Sequence, residues 1–206
     1  MKIFLIRHGY AKHNYGYEKF GEKIFYDPAY FDPELMVLGH QQSKEAGKRL
    51  VKINFSKIYC SPLKRCIQTL DNLLSTSKII SDTVYRTSKN EFIILDDRLM
   101  EPQGKQISNK RHEKVEIQKY VSQLNKMFDL TNVSLNYDFD IESQNDINNR
   151  IKSFISNIKI THNDDDNILI VTHHNWLKFF FKIFTGKDVS FNNCEIRVID
   201  MKSNSI

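Results

Sequence analysis

The sequence is short of the residues that staple small secreted folds. Its 206 residues include three cysteines. Cys60, Cys66 and Cys194 are too few for a disulfide framework and form no C-x-x-C metal pair, so a reduced, cytoplasmic setting is expected. Seven glycines and four prolines punctuate the chain sparsely, and no repeat is evident, so periodicity has to define the elements. Long apolar runs are missing as well. Residues 3–6 give only four apolar positions before Arg7, too few for a signal-peptide core, and the stretch 176–184 is short and broken by Lys178 and Lys182, so no membrane span is expected. Nor is there a block of charge of one sign: 30 basic side chains face 25 acidic ones for a net charge of +5. That balance attracts small anions without building a nucleic-acid surface.

What is present fits one α/β domain over residues 1–206, with an insertion or cap at about 76–141. Residues 2–7 read as a strand and 38–52 as a helix with Leu38, Ala46, Leu50 and Val51 inward. "KIYC" is a second strand, followed by Ser61-Pro62 as N-cap and first residue of a helix reaching about Leu74. "FIIL" at 92–95 can form a further strand. Helical spacing recurs at Val115, Ile117, Tyr120, Val121, Leu124 and Phe128, and again at Ile147, Ile151, Phe154, Ile155 and Ile158, with a loop expected over 129–141. "NILIVT" reads as a central strand, 174–184 as a buried helix, and "CEIRVID" as a last strand. The order predicts a three-layer α/β/α sandwich around a mostly parallel sheet.

Three of these strands end in polar clusters: Arg7-His8, then Ser61 to Arg65, then His173-His174. Were the strands neighbours, two guanidinium groups and at least two imidazoles would meet at the carboxyl edge, where open sheets bind ligands. Arginine forks match phosphoryl oxygens, and a neutral imidazole among them can act as nucleophile or base.

The same segments resemble the histidine phosphatase superfamily, which includes the cofactor-dependent phosphoglycerate mutases. "LIRHGYAKHN" is similar to its R-H-G-x-x-x-x-N signature, "LMVLGHQQS" to L-T-x-x-G-x-x-Q-A, "SPLKRCIQT" to S-P-x-x-R-x-x-Q-T, and "LIVTHHNWL" to the late strand that ends in a second histidine. The resemblance implies a phosphohistidine on His8, phosphoryl oxygens held by Arg7, Arg65 and His173, Asn14 contributing to the same pocket, and Glu101 as proton donor to the leaving oxygen. It implies no metal and no cofactor. Ala11 and Met36 stand where the family usually has threonine, and His174 where glycine is common, so His174 either narrows the pocket or adds a phosphate contact. The spacer after Asn14, "EPQGKQISNKRHE" and "FNNCEIRVID" look like a plant and fungal phosphatase branch in which Lys110-Arg111 would meet a distal anion of the substrate. The expected activity is therefore hydrolysis of a small phosphorylated metabolite. The alternatives are a phosphomutase and a catalytically weak module that binds phosphorylated ligands.

Overall fold

The computed structural model describes residues 1–76, 93–136 and 141–201. In chain order the elements are β1 (Lys2–Arg7), α1 (Lys12–Phe20), α2 (Val37–Lys48), β2 (Lys57–Cys60), α3 (Lys64–Thr76), β3 (Ile93–Asp96), α4 (Lys114–Val121), β4 (Phe128–Asn132), α5 (Gln144–Thr161), β5 (Asn167–Thr172), α6 (His174–Thr185) and β6 (Ile196–Asp200). The strands form one sheet in the order β4-β3-β2-β5-β1-β6. Every pairing is parallel except that of β6 with β1.

The central strands are apolar on both sides because both faces are covered. Phe4, Ile6, Ile58, Cys60, Leu169 and Val171 pack with residues of α2, α3 and α4. The alternate positions Ile3, Leu5, Tyr59, Ile168 and Ile170 pack with α5 and α6, including Phe154, Trp176 and Phe180. β5 lies between β1 and β2, with Leu5 beside Ile170 and Tyr59 on its other side. The carboxyl ends carrying Arg7, Ser61 and His173 are thus adjacent.

Several expected boundaries shift for physical reasons. α2 stops at Lys48, and Leu38 and Val51 are exposed, while Gly39, Ser43, Ala46 and Gly47 form its buried side. That small-residue face lets the helix press onto α3: a Cβ on Gly47 would lie 2.6 Å from the Leu73 carbonyl oxygen. The helical spacing read through Phe128 ends at Val121, and residues 128–132, partly assigned to a loop, form β4 against β3. The stretch expected as an insertion thus supplies β3, α4 and β4 to the body. Its 77–92 and 137–140 portions lie outside the described residues.

α3 begins two residues later than Ser61-Pro62 would place it. Ser61 Oγ lies 2.8 Å from His173 Nε2 and accepts the Leu63 N–H only at 3.5 Å, while Asp32 Oδ1 accepts the Lys64 N–H at 2.9 Å. Among the described residues no helix is long and apolar enough to cross a membrane.

Candidate active site

His8 follows β1 directly, its N–H still laddering to the Thr172 carbonyl at 2.9 Å. The turn beyond it needs glycine: a Cβ on Gly9 would lie 2.7 Å from the Gly39 carbonyl oxygen. Gly9 N–H donates to Thr69 Oγ1 at 2.9 Å, and that hydroxyl donates to the Arg65 carbonyl at 2.7 Å. The loop is thereby tied to the first turns of α3, which carry Arg65.

His8 is 2% exposed. Its Nδ1 lies 2.8 Å from the Gly9 carbonyl oxygen. An oxygen there can only accept, so Nδ1 carries the proton and Nε2 keeps its lone pair. Burial, then Arg65, His173, His13 and Arg7, hold the imidazole well below its ordinary pKa, so it is neutral at pH 7.

Two guanidinium groups act on it electrostatically. Arg65 is buried and donates from Nη1 to the Ser108 carbonyl at 2.8 Å. Arg7, half-buried at the end of β1, donates from Nη1 to the Phe191 carbonyl at 2.6 Å. Its Nε is buried with no hydrogen-bond partner among the described residues. The His173 ring centroid lies 5.2 Å from that of His8. Its pKa is also well lowered, by burial first and by Arg65 next. Cys66 Sγ sits 3.4 Å from His173 Nε2, and burial pushes that thiol up, so it packs as a neutral group.

Glu101 lies across the start of α6, its carboxylate oxygens accepting the Asn175 N–H at 3.2 Å and the Trp176 N–H at 3.4 Å. Burial raises its pKa, and Arg65, these two N–H groups and Arg7 offset only part of that rise. Arg150 of α5 fixes the segment that carries Glu101, donating to the Arg98 and Met100 carbonyls at 2.9 and 2.8 Å while paired with Glu142 at 2.6 Å.

The remaining expected residues make the following contacts. Asn14 Oδ1 accepts the Ala11 N–H at 2.9 Å and so shapes the start of α1. His174 is half-buried, with Nδ1 3.2 Å from the Phe191 carbonyl oxygen that also receives Arg7. Arg111 is not available for a distal anion: it is 1% exposed and forks onto Asp97 at 2.8 and 3.0 Å, fixing the 97–99 turn to the 111–112 segment. Lys110 beside it is exposed.

Two buried groups have no counterpart in the sequence reading. His13 lies with its ring centroid 5.4 Å from that of His8. Its signal was its place five residues after His8, where a helix starting at Lys12 turns it inward. Asp32 is 2% exposed with a positive φ of 37°. It helps line a side cavity of about 280 Å³ together with Lys64, His112 and Tyr120. No local pattern marks it, because its partner is the start of a distant helix.

A mostly parallel sheet thus brings two arginines and several neutral imidazoles together at adjacent strand ends. The family model for the histidine phosphatase superfamily (branch 1) matches residues 3–205, and the chain belongs to that superfamily. Nothing in the match assigns it to the plant and fungal branch. Among solved structures it is similar to a phosphoglycerate mutase from Bacillus anthracis str. Sterne, at 16% identity and TM-score 0.64 over 96% of this chain and 86% of that one. The alpha-ribazole phosphatase from Shigella flexneri matches at 20% identity and TM-score 0.60 over 97% and 90%. The ecdysone phosphate phosphatase from Bombix mori, solved with tungstate, matches at 15% identity and TM-score 0.62 over 98% and 90%. At these identities the likeness is one of fold. No curated protein sequence matches the chain.

Proposed function

We propose that the chain is a metal-independent phosphatase that hydrolyses a phosphomonoester through a phosphohistidine on His8. The observation that carries this is the hydrogen-bond arrangement of His8: Nδ1 is committed to the Gly9 carbonyl, which leaves the Nε2 lone pair free on a buried ring that feels the charges of Arg65 and Arg7. Nε2 attacks phosphorus, the bond to the ester oxygen breaks, and Glu101 gives its proton to that oxygen. Water then attacks the phosphorus of phospho-His8. Glu101 takes a proton from that water, the P–N bond breaks, and inorganic phosphate leaves the regenerated imidazole.

Negative charge on the equatorial phosphoryl oxygens is met by Arg7 and Arg65, fixed cations that need no reorganisation, each such donor being worth about 2.7–4 kcal/mol by deletion. The raised pKa of Glu101 supports its role as acid, and a bound dianion raises it further by neutralising the arginines.

The test is hydrolysis of an aryl phosphate with and without EDTA by the wild type and His8→Ala. Activity that survives EDTA and falls by at least about 10³-fold in the variant is expected. Equal activity in the variant would overturn the mechanism. A wild type that acquires phosphate on His8 yet passes it to an added alcohol in preference to water would instead be a mutase.

A further inference from the structure

α1 turns only two residues into the protein, Gly16 and His13. Gly16 is there for closeness, since a Cβ on it would lie 2.6 Å from the Tyr30 ring. His13 has no such packing rationale. It is 9% exposed, yet neither ring nitrogen makes a hydrogen bond to a described residue, and Nδ1 is fully buried without a partner. A histidine serving only the core would have its nitrogens satisfied, because an orphaned buried polar atom costs about 1–3 kcal/mol. This unpartnered ring lies against His8, their centroids 5.4 Å apart.

We propose that His13 is a further substrate-binding residue: it contacts a non-bridging oxygen of the phosphoryl group and takes up a proton as the dianion enters. The proposal rests on the reading of the pocket as a phosphoryl site. The groups that face His13 are Arg7 and His8 at the end of β1, Arg65 on α3 and His173 at the head of α6, with the Glu101 carboxyl over the same helix start. In the empty pocket, burial and the two guanidinium groups hold His13 well below its ordinary pKa. A dianion arriving at the same guanidinium groups reverses the sign of that field, and the protonated ring then has an acceptor oxygen in reach. Part of the pocket's positive charge would thus appear only with the substrate. This spares the empty pocket a further cation beside buried Arg65 and half-buried Arg7, a costly arrangement without a counter-charge.

The experiment is calorimetric titration of the protein with tungstate in two buffers of different ionisation enthalpy, which reads protons taken up on binding. The wild type is expected to gain up to about one proton more than His13→Gln or His13→Phe near pH 6.5. Both variants should bind tungstate about 5- to 10-fold more weakly at about pH 6, with the gap closing toward about pH 8. In wild-type protein with labelled histidine, the His13 ring nitrogens should pass to the protonated form on adding tungstate, a readout that requires no variant to fold. His13 resonances unmoved by tungstate, or proton uptake unchanged in both variants, would overturn the role of His13 while leaving the phosphatase reading intact. A wild type that binds no tungstate would overturn both.

Discussion

Glu101 shows how a single side chain is set by opposing effects. The start of α6 offers two N–H groups and the positive end of a helix dipole, both of which favour a carboxylate. Burial favours the acid, and it is the largest influence on this group. The outcome is a carboxyl that holds its proton to higher pH than an exposed glutamate does. Glu101→Gln is expected to lower kcat by about 10²- to 10⁴-fold on alkyl phosphates, whose leaving oxygen needs a proton, and far less on aryl phosphates, whose leaving oxygen does not. Because the acid works only when protonated, wild-type activity on alkyl phosphates should fall as pH rises through the Glu101 pKa, and the glutamine variant should lose that limb. Kinetics on a matched pair of alkyl and aryl substrates check this, and equal losses on both would rule out the acid role.

Among the elements, α3 depends most on a residue far away in sequence. Asp32 reaches across to cap it at Lys64, because the local candidate, Ser61, is drawn to His173 and holds the Leu63 N–H only at 3.5 Å. Burial raises the Asp32 pKa to about 6, against an ordinary value of 3.8. The folded state therefore binds this proton more tightly than the unfolded chain, so stability falls as pH rises from about 4 to about 6 and levels off above. Asp32→Asn keeps the accepting oxygen, removes the titration and suits the positive φ. It should stabilise the protein at pH 7 by up to about 2–3 kcal/mol and lose that advantage below about pH 4. Thermal melts of both proteins across that range check it, and a variant less stable at pH 7 would show the carboxylate to be needed for its charge. The contact of Gly39 explains why α2 turns its glycines inward and leaves Leu38 exposed, while Ala46 and Leu50 are buried as expected. A Cβ on Gly39 would lie 2.1 Å from the Tyr10 carbonyl oxygen, and hydrophobic periodicity is blind to such backbone approaches.

For the molecule as a whole, what was legible in the sequence was whatever local chemistry repeats: the apolar runs of β1, β2 and β5, and the polar residues directly after each. Neighbourhood of those strands brings Arg7, His8, Arg65 and His173 together, and it follows from the crossover that puts β5 between β1 and β2. Contacts made at long range were not legible. The burial of Arg111 depends on Asp97, and the placing of Asp32 depends on α3. The net charge of +5 acts at this same largest scale. For the proposed phosphatase, an anionic substrate approaches through water, where charges separated by more than about 10 Å are screened at 0.1 M salt. Once inside it meets His8, Arg65 and His173, none more than 2% exposed, where salt screens little. Raising ionic strength from about 0.02 to 0.5 M should therefore lower kcat/KM severalfold and leave kcat nearly unchanged. Sodium chloride and sodium sulfate compared at equal ionic strength separate steering from competition. Steering responds to ionic strength alone, so the loss common to both salts measures it, and the further loss expected in sulfate reports that oxyanion occupying the proposed phosphoryl pocket.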